Sequence, residues 1–155
     1  MTTTQFKAEV FQNQFLPQGS REVHAIMTIA AEGVAEVSTA SGRDRLFGII
    51  CDISGSMQGE KIGAAKQAMI KLIRLIPEDT HFFIVTGDNT AKVLVPVVLA
   101  TSQNKERAIS FIHTIDANGT TVISNWLAQA LAQFKKMPNA IRQALLLTDG
   151  QNDRN

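Results

Sequence analysis

Asp52, Ser54 and Ser56 put one carboxylate and two hydroxyls at alternate positions in the run Cys51-Asp52-Ile53-Ser54-Gly55-Ser56-Met57. Oxygen donors of this kind suit the hard cations Mg²⁺, Mn²⁺ or Ca²⁺ rather than softer metals. Two later segments carry comparable groups, Asn118-Gly119-Thr120-Thr121 and Thr148-Asp149-Gly150. Without an ion, the same residue types also cap helices and end strands, so Asp52, Ser54 and Ser56 also read as a capping turn, Thr120 as a loop cap and Asp149 as a turn residue. A third chemistry is nucleophilic, with Asp52 attacking a phosphoryl group beside a metal. Against it, Ser54 stands where phosphatases of that topology want a second acid, and there is no Gly-x-x-x-x-Gly-Lys run to cradle phosphates.

The segments that must position these groups alternate between two periodicities. Leu46-Phe47-Gly48-Ile49-Ile50-Cys51 is a short apolar run bounded by turn residues, the pattern of a buried strand in a parallel sheet. After it, Ile62, Ala65, Met69, Leu72, Ile73 and Ile76 recur at helical spacing, Lys61, Lys66, Lys71 and Arg74 take the solvated face, and Pro77 stops the helix. Thr80 to Thr86 and the Val-rich Ala91 to Ala100 read as strands joined by Gly87-Asp88-Asn89. Ser102 is the expected cap of a helix with Ala108, Ile109, Ile112 and Ile115 inward, and Ser124 the expected cap of another carrying Leu127, Ala130, Leu131 and Phe134. Ala144-Leu145-Leu146-Leu147 then reads as a buried strand running into Thr148-Asp149. The alternation predicts an α/β fold, a Rossmann-like doubly wound and mostly parallel sheet, whose ligands bind beyond the carboxyl ends of the strands.

Residues 1–45 read separately from residues 46–155. Phe6 to Phe15 and Val23 to Ala31 are two extended runs around the loop Leu16-Pro17-Gln18-Gly19-Ser20, and the Gly-, Ser- and Thr-rich stretch from Ala31 to Arg45 marks the boundary. Fifteen basic residues against fourteen acidic give a formal charge of +1, and their interspersed placement argues against nucleic acid as a partner. The first residues lack a basic region followed by an apolar stretch, and no segment reaches the ~20 apolar residues that span a bilayer. The expectation is a cytoplasmic protein without membrane insertion. The single cysteine, Cys51, fits a reducing compartment and the role of a small buried hydrophobe. Trp126 and the phenylalanines read as core, His24, His81 and His113 as packing or surface residues, and Met57 as either core or a partner contact.

The order of the three oxygen-bearing loops resembles the metal-ion-dependent adhesion site of von Willebrand factor type A domains. The resemblance implies that Asp52, Ser54 and Ser56 of the first loop, Thr120 of the second and Asp149 of the third hold one Mg²⁺. It further implies that a Glu or Asp of a partner protein completes the shell, which makes the domain a protein-binding module and not an enzyme. Thr120 is preferred to Thr121 because family members usually carry the ligand directly after Gly; Asn118 stands where the family often has a second Gly. The N-terminal strand pair looks like the segment that precedes such domains in a group of bacterial cytoplasmic proteins. The resemblance covers about the first two-thirds of the fold, so the sheet is expected to be completed by a second chain, by strand exchange between copies or by further sequence. A split or swapped subunit with a structural ion is the alternative this implies.

Overall fold

The two extended runs near the start pair as an antiparallel ladder of β1 (Gln5–Gln12) and β2 (Ala25–Glu32), with Gln5 opposite Glu32 and Gln12 opposite Ala25. This is seen in a computed structural model that describes residues 5–12, 25–32 and 44–150. The expected loop at Leu16–Ser20 and most of the boundary stretch from Ala31 to Arg45 lie outside the described residues. The ladder belongs to a unit spanning Met1–Gly42; a second unit, Arg43–Asn155, carries the chemistry.

In the second unit the apolar run becomes β3 (Arg45–Asp52), the strand from which the sheet is organised. It pairs in parallel with β4 (Thr80–Gly87), Asp52 lying opposite Gly87, and on its other side with β6 (Ile141–Leu147), Cys51 lying opposite Leu147. β5 (Ala91–Leu99) joins β4 antiparallel, giving the order β5-β4-β3-β6. Alternate residues of a strand face opposite sides of a sheet, and both sides of β3 and β4 are covered. On one side Ile49, Cys51, Phe82 and Ile84 pack with residues of α1 (Glu60–Leu75) and α2 (Ser102–His113), among them Met69, Ile73 and Ile112. On the other, Leu46, Ile50, Phe83 and Val85 pack with Trp126 and Ala130 of α3 (Ile123–Phe134). The fold is therefore α/β, doubly wound and mostly parallel. Among the described residues no helix is long and apolar enough to cross a membrane.

Several local expectations need correction. The cap of α2 is Thr101, whose Oγ1 accepts from Asn104 N at 3.3 Å, and not Ser102, which is already helical. Ser124 lies inside α3, whose N-cap is Val122. The buried face of α3 is Trp126, Ala130 and Gln133, while Leu127 and Leu131 are 48% and 52% exposed. Its rotation follows from Trp126, whose ring lies flat against Gly87 and whose Nε1 donates to Asp88 O at 2.7 Å. β6 forms as expected but is not buried: Ile141, Leu145 and Leu146 are all exposed, because among the described strands β6 pairs with β3 alone. Met57 belongs to the core.

Candidate metal centre

Parallel pairing of β6 with β3 brings the chain following each strand to the same edge of the sheet, and there the first and third oxygen-bearing loops meet. Asp52, the last residue of β3, is fully buried. One of its carboxylate oxygens accepts from Ser54 N and the other from Thr148 Oγ1, both at 2.8 Å. A short 3₁₀ turn, Gly55–Met57, then returns the chain so that the Ser54 and Ser56 hydroxyls lie 3.0 Å apart. Ser56 Oγ in turn lies 3.4 Å from Asp149 Oδ1. The second oxygen of Asp149 accepts from Lys61 Nζ at 2.8 Å, an ion pair whose lysine side chain is half exposed and whose aspartate is mostly covered. Sequence reasoning placed Lys61 on the solvated face of α1, and a partner 88 residues away left no local signal to correct it.

The second loop is stitched to the first through the backbone. Gly55 N donates to Gly119 O at 2.8 Å and Asn118 N to Ile53 O at 2.7 Å. Gly119 takes φ +80°, the left-handed region that favours glycine. The two threonines that follow differ sharply. Thr120 is exposed, whereas Thr121 is 1% exposed.

The capping alternative does not describe these hydroxyls. α1 begins after Gly59, which supplies no side-chain cap, and Ser54 heads the 3₁₀ turn without a side-chain cap bond. Asp52 does brace the turn through Ser54 N, but that leaves its charge uncompensated. Among the described residues no basic side chain pairs with Asp52, and a carboxylate buried without a cation is costly. Nor do three His, Cys, Asp or Glu side chains converge among the described residues. The donor set is two carboxylates with hydroxyls, all oxygen, which fits a hard cation and excludes a soft one.

A doubly wound sheet with oxygen-bearing side chains gathered at the carboxyl ends of two adjacent strands defines an α/β domain of the class in which ligands are bound at that end. The chain belongs to the von Willebrand factor type A domain family, whose sequence model matches residues 47–151. It is similar to a von Willebrand factor type A protein from Catenulispora acidiphila, with 34% identity and a TM-score of 0.71, covering 98% of this chain and 35% of that one. It is also 30% identical over 109 residues to mouse inter alpha-trypsin inhibitor heavy chain 4, an alignment covering 65% of this chain and 12% of the relative. A type V pili tip protein, Mfa5 from Porphyromonas gingivalis, shares the fold at 13% identity and a TM-score of 0.64, over 96% of this chain and 27% of that one. The chain thus spans about an eighth of the length of the curated relatives it matches first.

Proposed function

We propose that the domain binds a divalent cation, Mg²⁺ in the first instance, and through it an acidic side chain of a partner protein. The observation that carries this reading is that the Ser54, Ser56 and Asp149 side chains follow one another by contacts of 3.0 and 3.4 Å beside the buried Asp52 carboxylate, which accepts from Ser54 N at 2.8 Å and with which no basic side chain of the described residues pairs. In this reading Ser54, Ser56 and Asp149 are the directly holding groups. Asp52, with both oxygens already accepting hydrogen bonds, supplies charge from behind and orients the turn. The second loop's hydroxyl is that of Thr120, the residue directly after Gly119. When bound, the cation would offer an open coordination position that a carboxylate can fill. Membership of a family in which type A domains commonly mediate protein interaction supports the same conclusion.

The nucleophilic reading finds little support. Asp52 has no exposed surface, and both its oxygens are engaged, so it is placed to brace rather than to attack. Titration calorimetry with MgCl₂ tests the proposal. Wild-type protein is expected to bind, and Asp52→Ala and Thr120→Ala are each expected to weaken binding at least tenfold, the first by loss of the buried charge behind the site and the second by loss of a ligand hydroxyl. Binding that is unchanged in Asp52→Ala would sink the reading.

A second reading, that the domain joins a larger assembly through its sheet, rests on the open β6 edge. Leu145 and Leu146 stand exposed there on a strand that, among the described strands, pairs with β3 alone, an arrangement that invites another strand. The two readings concern different edges of the sheet and are compatible.

A further inference from the structure

We propose that Lys61 is a built-in competitor for the cation, holding Asp149 in the cation-free protein and setting the concentration at which the site fills. The inference rests on the metal-binding reading above and concerns a residue that reading does not use.

Lys61 is the second residue of α1, in a turn where the helix dipole disfavours a positive charge. The preceding Glu60 is the charge type that suits that end. Lys61 is nevertheless there, and its ammonium donates at 2.8 Å to Asp149 Oδ2, while Asp149 Oδ1 faces Ser56. One carboxylate therefore has two faces, one turned toward the hydroxyls that would share a cation and the other held by a cation that the chain carries itself. Once a divalent ion sits on the Ser56 side, the ammonium on the far oxygen lies a few ångströms from a like charge, and the two repel. The lysine can yield. Its side chain is 52% exposed, its four-carbon stem is flexible, and exposed ion pairs are weak enough to be exchanged for water. Asp52 cannot be neutralised in the same way, since it is buried and the described residues put no basic side chain on it. Lys61 thus acts on the third loop alone, the part of the site contributed by β6.

Titration calorimetry with MgCl₂, and separately MnCl₂, on wild type, Lys61→Met, Lys61→Arg and Lys66→Met tests the proposal. Lys66 lies one and a half turns further along α1 and donates to His113 O, away from the site, so it controls for general loss of positive charge. Lys61→Met is expected to bind about fivefold more tightly than wild type, the factor that an exposed ion pair carries. Lys61→Arg, which restores the charge, returns the affinity to near the wild-type value, and Lys66→Met leaves it unchanged. Without metal, Lys61→Met melts at a lower temperature than wild type, because the Lys61–Asp149 ion pair is gone. Equal or weaker binding by Lys61→Met overturns the proposal while leaving the metal site standing. So does equal tightening by Lys66→Met or Lys61→Arg, since the effect is then not a specific charge on Asp149. No binding heat in any folded variant overturns the metal site itself, and the competitor role with it.

Discussion

A thiol and a carboxylate stand next to each other at the end of β3, and burial acts on the thiol in a way that can be measured. Cys51 is fully buried, and its ionisation is pushed up to about 12 from an ordinary 9.0, first by burial and then by the neighbouring Asp52 charge. The folded chain keeps the thiol neutral while the unfolded chain loses its proton through the ordinary value. Below pH 9.0 both states hold the proton and the contribution is fully present. Between there and about 12 the unfolded state binds fewer protons than the folded one, so stability falls as pH rises, by about 1.4 kcal/mol per unit for this one group. Urea unfolding of wild type and Cys51→Ala at pH 8 and pH 10 should show the extra alkaline loss in wild type only; parallel losses in the two proteins would refute it. At this scale the Asp52-x-Ser54-x-Ser56 spacing was legible because it sits between an apolar run and glycines, a local pattern. The burial of Thr121 beside an exposed Thr120 was not, since it depends on which way a loop packed on Ile53 and Gly55 turns its side chains.

Elements were read from periodicity, and the places where periodicity failed share a cause. α1 came out with its expected inward face, Ala65, Met69 and Ile73, because it packs along its whole length. α3 did not. Its leucines at 127 and 131 fit a helical stripe as well as Trp126 and Ala130 do, and the decision was made by one tertiary contact, Trp126 against Gly87 and Asp88. A Cβ added to Gly87 would come within 2.0 Å of Trp126 Cδ1, far inside contact distance, and the indole is fully buried with no room to swing. Gly87→Ala is therefore expected to cost about 1–3 kcal/mol, the range for overpacked cores, read from the shift of a urea midpoint. Because Gly87 is also opposite Asp52 in the β3–β4 ladder and its carbonyl accepts from Ile53 N, the same variant should loosen the first oxygen-bearing loop. A variant as stable as wild type would mean that the tryptophan is held less firmly than its bonds indicate.

For the sheet as a whole, the two edges are unlike. β5 carries an exposed Pro96, which cannot donate a backbone hydrogen bond and discourages further pairing. β6 has no such guard and exposes Ile141, Leu145 and Leu146. The chain is therefore expected to self-associate with rising concentration, and Leu146→Lys to shift it toward the monomer, as seen by size-exclusion chromatography with light scattering; a wild-type monomer at all concentrations would count against the edge as a contact. The sequence announced the strand but not its exposure, because an apolar run looks the same whether or not a neighbour covers it. The sheet order β5-β4-β3-β6 also has a meaning in time. β3, β4 and β5 are consecutive in the chain and can pair as they leave the ribosome, but β6 must return across nearly a hundred residues to join β3, a closure that is slow for entropic reasons. Asp52, Ser54 and Ser56 are then in place early, whereas Asp149 arrives only with β6, so a nascent chain cannot bring its first and third oxygen-bearing loops together until β6 has paired with β3.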